Sequence, residues 1–123
     1  MNILVTGGAG FIGFHTAKAL LERGDNVVVV DNFNDYYDIR IKEARAKELK
    51  KFDNVKIIRA DISDYKTMGA IFKNNSFDKI CHLAAQAGVR YSLENPTAYE
   101  KANGIGTLNL LELTRKNKIK DFI

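Results

Sequence analysis

The residues best suited to chemistry are the glycines of Thr6-Gly7-Gly8-Ala9-Gly10-Phe11-Ile12-Gly13. They follow the apolar run Ile3-Leu4-Val5 and precede a segment with helical spacing, which predicts a strand, a tight turn and a helix start. Gly7 can adopt the positive φ of the turn, Gly10 leaves room for a phosphate, and Gly13 lets the helix pack closely on its strand. Because the N-terminus of a helix offers unpaired N–H groups to an anion, the turn predicts a pyrophosphate site.

A second buried strand, Val27-Val28-Val29-Val30, ends at Asp31, which lies 18 residues after Gly13. An acidic residue at about this distance accepts hydrogen bonds from the adenosine ribose hydroxyls in dinucleotide sites. A 2′-phosphate beside that carboxylate would be repelled by about 4 kcal/mol per charge pair, at roughly 4 Å and an effective dielectric constant of about 20. We therefore predict NAD rather than NADP as the cofactor.

Composition limits the class of protein. The 123 residues suffice for one domain, and 46% hydrophobic with 28% charged residues is ordinary for a globular protein. The single cysteine, Cys81, excludes an internal disulfide and a multi-cysteine metal site, so we expect no metal and a cytoplasmic location. No apolar run approaches the roughly 18 residues of a membrane span, so we expect no membrane partner. Glu43 and Glu48 interleave the basic residues between 40 and 51, so we expect a solvated helix face and no nucleic-acid partner.

Strands alternate with helices along the chain, which predicts an α/β fold with a doubly wound parallel sheet of the Rossmann type. The predicted strand order is 3-2-1-4-5, with the ligand at the switch point between strands one and four. Ser63 or Asp64 is expected to cap the third helix, and Gly24 to end the first. We predict strands at about 2–6, 27–30, 55–59, 79–83 and 121–123, a first helix up to Gly24, and later helices at about 41–51, 64–74 and 96–116.

The last helix and the end of the chain carry two further expectations. Ala102, Ile105, Leu108 and Leu111 have the spacing of a core-facing stripe. Residues 121–123 look like the first residues of a fifth strand, so we expect residues 1–123 to be an incomplete dinucleotide-binding domain, truncated at strand five. An unpaired sheet edge would then favour self-association.

These motifs together resemble the extended short-chain dehydrogenase/reductases of the NAD-dependent epimerase/dehydratase family, which act on nucleotide sugars. The resemblance is carried by the glycine turn and by Asp31-Asn32, Asp61-Ile62 and His82-Leu83-Ala84-Ala85-Gln86. More narrowly, the chain is similar to UDP-glucuronate 4-epimerases. That similarity is carried by residues 31–38, Lys42 and Arg45, and by Ala87-Gly88-Val89-Arg90-Tyr91-Ser92.

The resemblance implies a set of cofactor-binding residues. Chemistry supports several of them independently. Asp31 can accept from two ribose hydroxyls, Asp61 with the Ile62 amide can bracket the adenine edge, and Asn103 can reach the turn after strand four. Asp61 could instead cap a helix, and Asn103 could be an exposed helix residue. The implied NAD-binding residues are Gly7, Gly10, Phe11, Ile12, Gly13, Asp31, Asn32, Asp61, Ile62, Leu83, Ala84, Ala85, Gln86 and Asn103.

A nucleotide-sugar substrate is also implied, and Arg90 and Ser92 are the candidate substrate-binding residues. Both follow strand four, where the nicotinamide and the sugar would meet. Arg90 is expected to face an anionic group, either a uronate carboxylate or the diphosphate. The alternative is an ion pair with Glu94, one helical turn further on.

By resemblance, the reaction is a transient oxidation at sugar C4, with a tyrosine phenolate taking the hydroxyl proton while hydride passes to NAD and returns to the other face. That tyrosine needs a lysine four residues later, which lowers its pKa. No tyrosine here has one, so we predict no catalytic residue and no activity from these residues alone. Residues four after the five tyrosines are Arg40, Ile41, Gly69, Asn95 and Asn103.

Other roles remain open at this point. A nucleotide-sugar 4,6-dehydratase or decarboxylase would share the cofactor half, and a non-catalytic NAD-sensing module would need no tyrosine-lysine pair. Family members are commonly dimers through helices of this domain, so a homodimer is expected. His15, His82 and Cys81 are expected to pack or form hydrogen bonds rather than react.

Overall fold

The computed structural model describes all 123 residues, and they form one parallel five-stranded sheet with helices on both faces. The strand order is β3-β2-β1-β4-β5, which confirms the predicted fold class and topology. Central β1 pairs with β2 through Ile3 and Val27, and with β4 through Ile3 and Lys79. The strands are β1 (Asn2–Thr6), β2 (Asn26–Asp31), β3 (Val55–Arg59), β4 (Lys79–His82) and β5 (Asp121–Phe122).

The helices follow the predicted pattern, with one addition and one interruption. A short helix after β4 was not predicted, and the long final helix contains a π-helical segment over Glu100–Ile105. None of the helices is both long enough and apolar enough to cross a bilayer. The α-helices are α1 (Phe11–Glu22), α2 (Ile39–Leu49), α3 (Tyr65–Asn74), α4 (Val89–Glu94), α5 (Pro96–Tyr99) and α6 (Gly106–Lys116).

Alternate residues of the strands supply two separate cores. Leu4, Val30 and Ile80 face α3 and α6, while Val5 and Val27 face α1 and α2. Both faces of the sheet are thus apolar, as expected for parallel strands joined by helical crossovers. The arrangement leaves the carboxyl ends of the strands open for a site.

Local signals set most of the helix boundaries. The Asp64 carboxylate accepts from the amide of Thr67 at 3.1 Å, so Asp64 rather than Ser63 caps α3. Asp38 accepts from the Arg40 amide at 3.0 Å, and α2 therefore begins at Ile39, two residues before the predicted start. Gly24 has φ +93° just after α1, as expected of a helix stop.

The prediction for the core-facing side of the last helix was wrong. Leu108 is 61% exposed, and Ile105 and Leu111 are also exposed, whereas Leu110 and Leu113 are buried against the sheet. The segment has two apolar stripes, and the stripe of Leu110 and Leu113, in the helix that follows the π-helical segment, is the one that meets the sheet. Spacing alone could not choose between them.

Candidate functional site

A cavity of about 320 Å³ lies at the carboxyl ends of β1, β2 and β4, where the strand order reverses. This is the place where open α/β sheets bind ligands. Ten of the predicted cofactor-binding residues line it: Gly7, Gly10, Asp31, Asn32, Asp61, Ile62, Leu83, Ala84, Ala85 and Gln86.

The glycine turn forms one wall of the cavity, and its glycines are required by close contacts. Gly7 has φ +68°, and a Cβ there would lie 2.7 Å from the Ala84 amide nitrogen. A Cβ on Gly13 would overlap the carbonyl of Gly7, so Gly13 lets α1 pack against the turn itself rather than further along β1. Gly10 is less constrained, because the nearest atom to a Cβ there is the Gly7 oxygen at 3.0 Å.

Phe11 and Ile12 begin α1 beside this wall, and their side chains are exposed. Gly10 precedes them as the N-cap residue and contributes no side-chain hydrogen bond. The first-turn N–H groups of the helix therefore have no side-chain acceptor, which leaves them available to an anion at Gly10. Phe11 and Ile12 can contribute through their backbone, whereas Gly13 lies beneath the turn.

Asp31 helps to hold the glycine turn in place, a role that sequence reasoning missed. Its Oδ2 accepts from the amide of Ala9 at 3.0 Å, and its Oδ1 accepts from the amide of Phe33 at 2.9 Å. Each carboxylate oxygen can accept a further hydrogen bond, and the residue lines the cavity. Phe33 is buried as well.

Two basic residues of α2 reach the same region. Arg45 Nη1 donates to the carbonyl of Ala9 at 3.1 Å and to the hydroxyl of Tyr37 at 3.0 Å. Lys42 Nζ lies 3.9 Å from Asp31 Oδ1 and lines the cavity. Since this ammonium offsets part of the Asp31 charge, the repulsion of a 2′-phosphate worked out for an isolated carboxylate is an upper bound.

The turn after β4 is fixed to β1 by Thr6, which is fully buried. Its Oγ1 accepts from the amides of Leu83 and Ala84, both at 3.1 Å, so its proton is donated to His82 Nδ1 at 2.7 Å. In the neutral ring, His82 Nε2 then carries the single ring proton and donates it to Thr107 Oγ1 at 2.9 Å. Burial lowers the pKa of His82 and favours this neutral form.

The same turn is held from the other side by Asn103, within the π-helical segment. Asn103 Oδ1 accepts from the Gln86 amide at 2.8 Å, and Nδ2 donates to the Gln86 carbonyl at 3.1 Å. Asn103 was expected either to reach the turn after β4 or to be an exposed helix residue, and both descriptions apply to it. Both atoms of its amide are engaged by Gln86, which makes it a residue that positions the turn.

Asp61 is not a helix cap, because its Oδ1 accepts from the amide and hydroxyl of Ser63 at 2.9 and 2.6 Å. Partial burial by itself raises the pKa of Asp61, but the hydrogen bonds from Ser63 and the charge of Lys101 outweigh it and keep the pKa below its ordinary value. The second oxygen, Oδ2, lies 3.8 Å from Lys101 Nζ at the cavity edge. A carboxylate acceptor is thus available beside Ile62.

Arg90 and Ser92 lie on α4, next to the cavity rather than among its lining residues. The hydroxyl of Ser92 donates to the carbonyl of Val89 within the helix. Arg90 is exposed, as the alternative required, but the structure shows no ion pair between it and Glu94. Its guanidinium has no partner within the chain.

The residues present fit a dinucleotide. Gly10 leaves the approach to the α1 N-terminus open, and a side chain there would enter that space. Asp31 and Asp61 offer carboxylate oxygens that can accept from ribose hydroxyls or an adenine amino group, and Ala84 and Ala85 add only methyl side chains to the cavity lining. The chemistry of this donor and acceptor set matches adenosine at one end and a pyrophosphate at the centre.

A family model described as GDP-mannose 4,6 dehydratase matches residues 4–123. The chain belongs to this NAD-dependent epimerase/dehydratase family. The UDP-glucuronate 4-epimerase of Thermodesulfobacterium geofontis (strain OPF15) is 48% identical over 120 residues, covering 98% of this chain and 37% of that protein. UDP-glucuronate 4-epimerase 4 of Arabidopsis thaliana is 48% identical over 115 residues, covering 94% of this chain and 26% of that protein.

Solved structures of epimerases share the fold of this family member. UDP-glucuronic acid 4-epimerase from Bacillus cereus, in complex with UDP-glucuronic acid and NAD, matches with a TM-score of 0.87 and 34% identity, over 99% of this chain and 38% of that chain. UDP-glucose 4-epimerase from Thermus thermophilus, in complex with NAD, matches with a TM-score of 0.84 and 34% identity, over 99% of this chain and 36% of that chain. The chain thus spans about a quarter to two-fifths of the length of these relatives. Both crystallised neighbours contain NAD, in agreement with the cofactor predicted from Asp31.

Proposed function

We propose that residues 1–123 form most of the NAD-binding domain of a nucleotide-sugar epimerase that acts on UDP-glucuronate at C4. The observation that carries the proposal is the cavity at the switch point, where the glycine turn, Asp31, Asp61 and the turn after β4 meet. When bound, NAD supplies the acceptor and donor of hydride for oxidation and re-reduction of the sugar carbon. The residues of this chain bind and orient that cofactor.

Each predicted residue is assigned to the part of NAD that its chemistry suits. Gly10 with the backbone of Phe11 and Ile12 faces the pyrophosphate, and Asp31 with Asn32 accepts from the adenosine ribose. Asp61 and Ile62 bracket the adenine. Leu83, Ala84, Ala85 and Gln86 form the floor towards the nicotinamide, and Gly7, Gly13 and Asn103 hold the walls in place.

Acid-base chemistry at the sugar is not assigned to residues 1–123 in this proposal. None of the five tyrosines is followed by a lysine four positions later, the arrangement that would lower a phenol pKa. We therefore expect NAD binding from these residues and no turnover of UDP-glucuronate by them alone.

Isothermal titration calorimetry of the chain with NAD tests the cofactor role. Gly10→Ala places a methyl where the pyrophosphate would approach, and we expect it to fold normally and bind NAD at least about tenfold more weakly. Gly69→Ala is the matched control, since a Cβ there meets nothing closer than 4.0 Å. Absence of NAD binding to the unaltered chain would refute the proposed function, and equal affinities for the two alanine variants would refute the pyrophosphate position.

The choice of a uronate substrate rests on Arg90, whose guanidinium is exposed beside the cavity without a partner in the chain. A chimaera can test it, with residues 1–123 replacing the matching N-terminal part of the Bacillus cereus enzyme, of which they cover 38%. We expect the chimaera to interconvert UDP-glucuronate and its C4 epimer. Arg90→Ala should raise KM for UDP-glucuronate, and an unchanged KM would remove Arg90 from the substrate site.

A nucleotide-sugar 4,6-dehydratase is the second candidate, because the matching family model carries that description. Both reactions begin with oxidation at C4, so the cofactor cavity serves either. A 4,6-dehydratase substrate carries a neutral hydroxymethyl group where UDP-glucuronate has a carboxylate. If Arg90→Ala weakens the binding of UDP-glucuronate only, the result favours the epimerase. If it weakens the binding of UDP-glucose and UDP-glucuronate equally, the result favours a contact between Arg90 and the diphosphate.

We also propose a homodimer through the exposed stripe of the last helix. Ile105, Leu108 and Leu111 face solvent in the single chain, and contiguous apolar surface of this kind is typical of protein interfaces. Leu108→Glu should convert a dimer to a monomer in sedimentation without lowering the helix content. A monomeric unaltered chain would refute this part of the proposal.

A further inference from the structure

Lys42 occupies an unusual environment for a lysine on a surface helix. Its side chain is only 8% exposed, yet it lines the cavity beside Asp31 and Tyr37. An ammonium carries three N–H donors, and this one makes a single hydrogen bond, to Asn34 Oδ1 at 2.7 Å. Since a buried ammonium is more favourable when all its donors have acceptors, the two remaining donors are available to a molecule in the cavity that carries acceptor atoms.

The position of Asp31 indicates which acceptor this is. Lys42 Nζ and Asp31 Oδ1 are 3.9 Å apart, too far for a direct hydrogen bond. Each Asp31 oxygen already accepts one backbone N–H and can accept one more proton. A hydroxyl oxygen placed beside both groups can accept from the ammonium and donate to the carboxylate, with ordinary distances to each.

We propose that Lys42 binds the cofactor directly, by donating a hydrogen bond to an adenosine ribose hydroxyl whose own proton is accepted by Asp31. The inference rests on the proposed function, because NAD is the ligand. It adds Lys42 to the NAD-binding residues that the family resemblance implies. Burial is the main cause of the lowered pKa of Lys42, and an oxygen ligand would compensate for that burial.

The arrangement also explains the neighbours of Lys42. Asn34 Oδ1 accepts from one donor of the ammonium, and the ring of Tyr37 lies 5.0 Å from Nζ. Arg45 occupies a separate position, on the carbonyl of Ala9, and therefore supports the glycine turn rather than the ribose. The ribose is thus bound by one acceptor and one donor of opposite charge.

Calorimetry with NAD and with two analogues, lacking the 2′- or the 3′-hydroxyl of the adenosine ribose, tests the inference. The variant is Lys42→Met, which keeps length and apolar packing, and such replacement of a buried charge is often tolerated. Lys47→Met is the matched control, because Lys47 is exposed on the same helix. Lys42→Gln is the second variant, because it keeps a donor without the charge.

Loss of a charge-assisted hydrogen bond should weaken NAD binding by Lys42→Met roughly ten- to a hundredfold, with Lys47→Met within about twofold of the unaltered chain. For at least one deoxy analogue, the affinity lost in the unaltered chain should become roughly tenfold smaller in Lys42→Met, because in that variant the hydroxyl keeps only its hydrogen bond to Asp31. A purely structural lysine would leave that loss unchanged in both analogues.

The outcomes separate the two proposals. Failure of the unaltered chain to bind NAD would overturn the proposed function and this inference with it. Binding by the unaltered chain with equal NAD affinity in Lys42→Met would overturn the inference alone. The inference would also be overturned if the affinity lost with each deoxy analogue were the same in Lys42→Met as in the unaltered chain. If Lys42→Met does not fold, the same comparison is made with Lys42→Gln.

Discussion

Replacement of Thr6 by valine should be among the most destabilising isosteric changes in this chain. The Thr6 hydroxyl is fully buried and accepts from the amides of Leu83 and Ala84, while donating to His82 Nδ1. The Leu83 amide also reaches the Thr6 carbonyl at 3.2 Å and keeps that partner. The Ala84 amide and His82 Nδ1 lose the only hydrogen-bond partner that they have.

The expected cost follows from these two groups. Each buried polar group left without a partner costs about 1–3 kcal/mol, and the new methyl group returns about 0.8 kcal/mol. Since Ala84 and His82 are partly buried, we expect a loss of about 2–4 kcal/mol in the free energy of unfolding. Thr6→Ser is the matched control, because it keeps the hydroxyl and loses one methyl group, worth about 1 kcal/mol.

Urea unfolding followed by circular dichroism measures both variants. The reasoning requires Thr6→Val to be less stable than Thr6→Ser. If Thr6→Val equals or exceeds the serine variant in stability, the hydrogen bonds of Thr6 do not hold the turn after β4.

Three further outcomes are expected. Burial holds the pKa of His82 below its ordinary 6.5, so its contribution to stability is present above pH 6.5 and is lost as pH falls towards the lowered folded pKa. The urea midpoint of unfolding should fall between about pH 8 and about pH 5.5 in the control variant His15→Gln, whose site is exposed. The fall should be smaller in His82→Gln, which lacks the buried imidazole. Gly88→Ala should lower the free energy of unfolding by about 1–3 kcal/mol, because the φ of Gly88 is +102°. Adding Tyr36→Phe should restore part of this loss, since a Cβ at Gly88 meets the Tyr36 hydroxyl. Equal stability of the single and double variants in urea unfolding would contradict that contact. Lys42→Met should increase the ratio of NAD to NADP affinity in competition titrations, since Asp31 then faces a 2′-phosphate alone, and an unchanged ratio would show that Lys42 does not offset that charge.

Several parts of the molecule could be predicted because the signals for them are local. Gly7 is favoured by its φ of +68°, and Gly13 is required by its contact with the Gly7 carbonyl, so both signals lie within the turn. The continuous valines of β2 match a strand buried on both faces. Asp64 and Gly24 mark helix boundaries through their own hydrogen bonds and φ. The strand order followed from alternation and from the handedness of crossovers.

Other parts depend on contacts between residues far apart in sequence. Which stripe of the last helix is buried depends on its packing against the sheet and α3, and the spacing of apolar residues suits either stripe. The short helix α4 was missed because its six residues lack both a cap and an apolar stripe that packs. The alternatives for Asp61 and Arg90 likewise needed the positions of Ser63 and Glu94 in space.

Residue types and their spacing were enough to predict the fold class, the glycine turn and the acidic residue that follows the second strand, because each rests on backbone geometry over a few residues. The folded chain was needed to show that Asp31 also holds Ala9, that Thr6 and His82 fix the turn after β4, and that Lys42 is buried beside Asp31. These roles depend on hydrogen bonds and burial across 11 to 78 positions of separation, and residue type alone does not encode such distances.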